Sequence, residues 1–389
     1  MNIFIYTTSD YPNGGAAENF VRQMAVGLNE AGAKIRVVRL RGRIYGGKND
    51  TCISCTNLLF KKRPQNELLK AFELISIILL SPISVIINKF TFKTQVIILY
   101  GVEYSYLCIP FHLISKLLNI KIYRIITDYY DTNSIVPVWW KRAKLFFYKT
   151  QFKYIDKKFN GLIVLSNYLK ELAGKNGAAI EKILLIPHFI DLQNTMQKIQ
   201  NYDHTKNIIG FCGTPSISNG IIDLIKAFII VNKTFKDTEL LIIGGLTKEV
   251  KSIIDENFTD SEKQNITFTG FLNKEDVKTQ LNRCTILVNP RKKGRIAEAG
   301  FPTKLGEYFS TKRPVVATAV GDLKRYFKNK EELILVAPDS PLELANGIAL
   351  LLSDKSLSNK IGQNGFVWAN ANIEFRKSAG ILLNFILKT

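Results

Sequence analysis

Cysteine is scarce in this chain of 389 residues, and the five present, Cys52, Cys55, Cys108, Cys212 and Cys284, are scattered. That pattern excludes a disulfide framework. Cys52-x-x-Cys55 stands without a second pair or a nearby histidine, which argues against a zinc or thiol-redox centre. No Asp-x-Asp triplet occurs, so the grouped carboxylates that clamp a divalent metal on a diphosphate are missing and no metal is expected. No Gly-x-Gly-x-x-Gly follows a first strand, which argues against a nicotinamide enzyme. Helix-turn-helix, zinc-finger and RNA-recognition signatures are absent, so nucleic acid is not an expected partner. The N-terminus runs straight into a strand with no leader pattern, and a reducing, cytoplasmic setting is expected.

Acidic residues are also in short supply. The net charge is +20, and residues 1–200 hold 27 Lys and Arg against 13 Asp and Glu, a local excess of +14. A basic N-terminal half suggests an anionic partner on that side, and an anionic membrane face fits two stretches. Residues 74–87 form an apolar run preceded by Lys61-Lys62-Arg63 and followed by Lys89 and Lys93. The run is shorter than the roughly 18–20 residues that span a bilayer and contains Pro82, so it reads as a buried core helix or a surface-inserting one. Pro137 to Lys149 mixes Trp139-Trp140 with Lys141-Arg142, a combination that suits lipid headgroups or an ordinary amphipathic helix.

What is present in quantity is alternation. Short apolar runs at 2–6, 34–40, 95–100, 121–126, 161–165 and 183–186 read as strands. A second set follows at 207–212, 239–243, 266–269, 285–289, 314–318 and 333–336. Helix-period segments lie between them, notably 17–31 and 141–158. This predicts an α/β protein with two doubly wound parallel sheets. The expected domains are 1–200, 207–372, and a last helix within 373–389 packing back toward the first domain, with a polar linker over 197–207. Ligands of such folds sit beyond the carboxyl ends of the strands.

Residues 300–318 carry the most specific chemistry. Gly300 breaks the chain and Pro302 suits the first position of a helix, which is expected from Thr303 to about Ser310. A helix start offers free N–H groups to a phosphate. Thr303 and Glu307 share one face, and Lys304 reaches the same mouth. A phosphate-ready start with a carboxylate one turn further in suits a ligand with phosphates and a sugar diol, such as a nucleotide sugar. The plainer reading is a capped helix whose Glu complements the dipole. Arg291, after the apolar run Cys284 to Pro290, is the best basic partner for Lys304; Lys292, Lys293 and Arg295 follow in a loop.

This stretch resembles the signature of the family-4 retaining glycosyltransferases. One sub-group reads Gly-Phe-Pro-Thr-Lys-Leu-x-Glu-Tyr, as in Gly300 to Tyr308. Met1-Asn-Ile-Phe-Ile-Tyr6 followed by Gly14, Gly15 and Ala16 resembles the family's first strand and Gly-rich acceptor-side loop. Gly161 to Ser166 with Ile186 to Asp191 resembles the end of its N-terminal domain. Ile209 to Gly213 resembles the first donor-domain strand, and Thr269-Gly270-Phe271-Leu272 the loop against the nucleobase. The resemblance implies the GT-B fold, two Rossmann-like doubly wound domains facing a cleft.

By the same resemblance Gly213, Thr214, Gly270, Phe271, Leu272, Phe301, Pro302, Thr303 and Glu307 would bind the donor. The chain departs from the family at three points. The family's basic Arg and Lys fall on Thr214 and Asn219. The first Glu of its Glu–x7–Glu motif falls on Ala299, with Glu298 the nearest carboxylate. Its N-domain histidine is replaced within Ile125-Ile-Thr-Asp-Tyr-Tyr-Asp131, where Asp128 is an acceptor-side base by position or a turn-capping residue. Arg291 and Lys304, with Glu298 and Asp128, are then the catalytic candidates.

The implied activity is metal-independent hexosyl transfer with retention. A nucleotide sugar would give its sugar to a hydroxyl of a saccharide or lipid-linked saccharide, in surface polysaccharide synthesis at the inner membrane face. The alternatives are a sugar-nucleotide epimerase of the same fold and a non-catalytic nucleotide-sugar or saccharide-binding protein.

Overall fold

The structure, a computed structural model, describes residues 1–12, 15–42, 53–129, 139–195 and 206–389, with backbone alone at 139–141 and 194–195. Gly14, Cys52 and most of the expected linker lie outside the described residues, as do the side chains of Trp139, Trp140 and Lys141. The chain divides into two compact units, Met1–Ile190 with Phe375–Thr389, and Asp191–Glu374.

Strands of the first unit are β1 (Asn2–Thr7), β2 (Lys34–Arg39), β3 (Cys55–Asn57), β4 (Val96–Tyr100), β5 (Lys121–Ile126), β6 (Gly161–Val164) and β7 (Ile183–Leu185). They pair in parallel in the order β3-β2-β1-β4-β5-β6-β7. Its helices are α1 (Ala16–Glu30), α2 (Glu67–Thr91), α3 (Ser105–Leu117), α4 (Trp139–Thr150) and α5 (Asn167–Lys175). A π-turn at Gln151–Ile155 and a 3-10 turn at Asp156–Lys158 continue α4, so the expected 141–158 helix is split.

The second unit contains β8 (Asn207–Cys212), β9 (Thr238–Ile243), β10 (Ile266–Phe268), β11 (Ile286–Asn289), β12 (Val315–Thr318) and β13 (Ile334–Val336). Its helices are α6 (Leu192–Thr195), α7 (Ile221–Thr234), α8 (Lys248–Asn257), α9 (Asp260–Lys263), α10 (Lys274–Arg283), α11 (Arg295–Ala299), α12 (Lys304–Ser310), α13 (Leu323–Tyr326), α14 (Pro341–Ser353) and α15 (Lys355–Asn372). The parallel order β10-β9-β8-β11-β12-β13 reverses direction between β8 and β11, the topological switch point of a Rossmann sheet. Central strands are apolar throughout because both faces are covered: every residue of β4, β11 and β12 is buried.

The closing helix α16 (Phe375–Lys388) belongs to the first unit. It buries Phe375, Ala379, Leu382 and Ile386, one stripe at helical spacing. A Cβ on Gly27 of α1 would lie 2.7 Å from Ala379, so that glycine lets the two helices approach. Arg376 Nε donates to Glu30 at 2.8 Å on the same seam.

Helix α2 is longer than the apolar run read from sequence, at 25 residues, and is long and apolar enough by composition to cross a membrane. Its amphipathicity is inverted. The buried side carries Glu73, Ser76, Ile77, Ser81 and Val85. Glu73 accepts the Gly42 amide at 2.9 Å, and Ser84 and Asn88 both meet the Tyr6 hydroxyl at 3.2 Å. The outer side shows Leu68, Phe72, Ile75, Leu79, Ile83 and Phe90 between 50% and 79% exposed. The core-helix reading of 74–87 therefore fails for that face. Helix α3, which packs on α2, also exposes Ile109, Leu113 and Leu117, four residues apart.

Candidate functional site

The carboxyl ends of β8 and β11 meet at α12 in the second unit. The Cys212 amide donates to the Tyr308 hydroxyl at 2.8 Å, and that hydroxyl lies 3.4 Å from the Val288 carbonyl oxygen as a donor. One fully buried tyrosine thus ties α12 to both strands that flank the switch point.

Lys304 stands one turn earlier on α12. Its Nζ lies 4.0 Å from the centroid of the Phe211 ring, over the aromatic face. Among the described residues that buried ammonium has no hydrogen-bond partner. Gly213, at φ +123°, makes the room: a Cβ there would sit 2.6 Å from Lys304 Cε and 3.0 Å from Nζ. Burial, helped by the nearby Arg291 charge, pulls the Lys304 pKa from 10.5 down to about 8 against the opposing pull of Cys212 and Glu307. A ring face worth about 0.5–2 kcal/mol and the field of Glu307 leave this buried cation under-compensated, since burial still outweighs them. It is a ready receptor for an anion.

Glu307 keeps part of its surface open while its carboxyl sits deep in the protein, and burial raises its pKa against the lowering effect of Lys274 and Lys304. Arg291 folds over Gly300, with guanidinium nitrogens 3.7 and 3.8 Å from where a Cβ would stand. Its carbonyl accepts from Thr318 Oγ1 at 2.6 Å, which pins the loop after β11 to the end of β12. Lys292 is committed elsewhere, to Asp223 at 3.3 Å and Asp339 at 3.4 Å.

At the ends of β9 and β10 a bridge joins Gly244 and Gly270. The Phe271 ring lies on Gly245, where any Cβ would overlap it, and is 92% exposed. This is a flat aromatic face on a glycine platform, suited to stacking on a base. Leu272 beside it is half-buried.

Several sequence expectations change in detail. Helix α12 begins at Lys304 with Thr303 as its cap, so Pro302 precedes the cap instead of opening the helix, and Thr303 makes no side-chain capping bond. Phe301 is only 5% exposed and packs 6.0 Å from Tyr326 and 6.4 Å from Trp368, so its side chain belongs to an aromatic core and offers no ligand surface. Pro302 is likewise buried. Thr214 is exposed and its carbonyl accepts from Asn219 Nδ2 at 2.9 Å. Ala299 is fully buried, while Glu298 in the first turn of α11 is half-exposed.

In the first unit, Asp128 follows β5, exposed, and accepts from Thr127 Oγ1 at 2.9 Å. Gly15 caps α1 and Ala16 begins it, both exposed. Among the described residues no three His, Cys, Asp or Glu side chains gather. The sequence reading missed Phe211, Lys274 and the buried, unpartnered Asn289 Nδ2. For Phe211 and Asn289 the only signals were the apolar run 207–212 and the Asn289-Pro290 step at the end of β11; nothing pointed to Lys274.

Residues 193–368 match the family model for glycosyl transferases group 1. The chain is 24% identical over 233 residues to an uncharacterized glycosyltransferase of Methanocaldococcus jannaschii, covering 58% of this chain and 61% of the relative. It is 27% identical over 219 residues to the capsular polysaccharide biosynthesis glycosyltransferase CapM of Staphylococcus aureus, covering 54% of each. The matched region is thus less than two thirds of these curated relatives' length. Among solved structures, Anabaena HepE in complex with UDP and glucose matches over 100% of both chains with a TM-score of 0.72 at 14% identity. Sucrose-phosphate synthase from Thermosynechococcus elongatus matches over 100% of this chain and 98% of its own, with a TM-score of 0.74 at 16% identity. The fold is that of the GT-B glycosyltransferases, two parallel-sheet α/β domains; the family match lies within the second unit and spans less than half of the chain.

Proposed function

We propose that this protein is a retaining glycosyltransferase that takes a nucleotide-sugar donor at the switch point of the second unit. The observation that carries this reading is Lys304: a buried ammonium without a hydrogen-bond partner among the described residues, beside the positive-φ Gly213 just after β8. A diphosphate supplies the charge it lacks. Arg291 is the second cation, in place of the side chains that Thr214 and Asn219 cannot provide. Glu307 accepts the ribose hydroxyls, and Phe271 stacks on the base with Gly270 and Leu272 beside it. Glu298 faces the sugar side of the donor.

In the reaction the bond from the anomeric carbon to the diphosphate oxygen breaks. The bond to the acceptor oxygen forms on the same face, and the acceptor proton passes to the departing phosphate. Lys304 and Arg291 stabilise the charge that grows on the diphosphate, so catalysis is chiefly orientation and electrostatics. No divalent metal is required in this scheme. Asp128 and the Gly15-Ala16 start of α1 serve the acceptor, a saccharide or lipid-linked saccharide hydroxyl.

The same reading holds the protein on the cytoplasmic face of an anionic membrane through the first unit. The inverted α2, apolar outward and polar inward, supports it, since water is a poor solvent for that face. Thermal-shift and calorimetric screening of nucleoside diphosphates, then of nucleotide sugars with saccharide acceptors, tests the enzyme reading. Donor binding with no transfer to any acceptor would make it a binding protein instead.

A further inference from the structure

A second basic cavity lies in the first unit, apart from the residues assigned above. It is an open pocket of about 630 Å³ where the end of α3 meets the start of β5, lined by His112, Ser115, Lys116, Asn119, Lys121 and Lys158. No carboxylate is among its lining residues. The carbonyls at the end of α3, which would repel an anion, are occupied: Ser115 O accepts the Ile120 amide at 2.8 Å and Lys116 O the Asn119 amide at 3.4 Å. Lys121 Nζ spends one donor on the Ile386 carbonyl at 3.4 Å. Among the described residues two buried polar atoms here have no partner, His112 Nδ1 and Ser115 Oγ, the latter on a fully buried residue. Burial and the Lys158 and Lys116 charges hold the His112 pKa below its ordinary value, as expected in a field of uncompensated cations.

The pocket borders the apolar surface. Leu113 lines it and is 61% exposed, on the exposed α3 stripe it forms with Ile109 and Leu117, and α3 itself packs on α2. Apolar side chains for acyl tails next to clustered cations for a headgroup is the layout of a lipid site.

We propose that this pocket binds a phosphate monoester or diester, supplied by an anionic lipid headgroup when α2 and α3 lie on the bilayer. The inference rests on the membrane reading for the source of the phosphate and on the pocket alone for the site. Lys116 and Lys158 neutralise the phosphate, and His112 and Asn119 complete its hydrogen bonds.

Two measurements on the full chain separate the parts. The first is sedimentation with phosphatidylcholine vesicles, with and without phosphatidic acid. It compares the wild type with Lys116→Gln/Lys158→Gln and with a charge-matched control on exposed α15 residues, Lys355→Gln/Lys360→Gln. Two lost cations at about 1 kcal/mol each predict about thirtyfold weaker binding to acidic vesicles for the pocket variant, and little change for the control. The second follows the imidazole signals by NMR as inorganic phosphate is added; the chain has only three histidines. The His112 signal should shift saturably in the wild type and not in the pocket variant.

Saturable phosphate binding without vesicle binding would keep the site and discard the membrane as its source. Vesicle binding that the pocket variant retains, with no shift at His112, would overturn the site and leave the membrane reading standing. Equal loss in the control would reduce the effect to net charge and overturn it as well.

Discussion

The Tyr308 hydroxyl accepts the Cys212 amide at 2.8 Å, joining the donor-side helix α12 to the last residue of β8. The register that this bond sets brings Lys304, four residues before Tyr308, over Phe211 and against Gly213. Tyr308→Phe keeps the ring and strands a buried N–H, a loss of about 1–3 kcal/mol. We expect a lower unfolding temperature and weaker nucleoside diphosphate binding from the loosened α12. Equal affinity in calorimetry would show that the bond does not position the site.

Lys304 gives the protein a pH signature. Its folded-state pKa of about 8 lies below the ordinary 10.5, so the folded state holds fewer protons than the unfolded chain between these values. Stability of the second unit should therefore rise as pH increases through that window. Diphosphate binding needs the charged form and should run the other way, weakening as pH rises above about 8. Lys304→Arg, charged throughout, should flatten the affinity profile between pH values of about 7 and 9. A profile that keeps its slope in Lys304→Arg would place the titration elsewhere.

Removing the uncompensated charge should stabilise the unliganded protein. Lys304→Met keeps the length of the side chain and relieves a buried ammonium. It should raise the unfolding temperature by a few degrees, at about 2–4 °C per kcal/mol for a domain of this size, while abolishing the preference for diphosphates. A lower melting temperature in calorimetry would mean that the Phe211 contact already compensates the charge.

Glu307→Gln should weaken nucleoside diphosphate binding by about 1.5–3 kcal/mol, the range of hydrogen bonds to a charged group, with the fold intact. Its carboxylate also raises the Lys304 pKa, so the substitution should move the affinity decline to lower pH. Unchanged affinity in calorimetry would remove Glu307 from the site.

On the membrane side, Leu79→Glu and Ile83→Glu place charge at positions that are 63% and 50% exposed. Vesicle sedimentation should show lost binding to acidic vesicles with little change in melting temperature. Retained binding would free α2 from any lipid contact.

The strands were legible in the sequence because a parallel sheet covered on both faces demands continuous apolar runs, as at Val96–Tyr100 and Val315–Thr318. The edge strand β3 was not, since Cys55-Thr56-Asn57 lies at the rim and has no such demand. Lys304 and Glu307 could be singled out from their spacing, and the burial that gives them altered acidities could not. It depends on Phe211 and Gly213, some 90 residues away in the chain. Phe301 misled because a motif residue can serve the core beside a site. The outward face of α2 was hidden for a similar reason: apolar content alone does not say which side is covered.

The central claim is that Lys304 and Arg291 receive a diphosphate. Its most direct test is calorimetry of a panel of nucleoside diphosphates and their plain nucleosides, without divalent metal, on wild type, Lys304→Ala and Arg291→Ala. At least one diphosphate should bind the wild type more than tenfold tighter than its nucleoside, and each substitution should erase most of that preference. Wild-type preference retained in both variants, or no diphosphate binding at all, would contradict it.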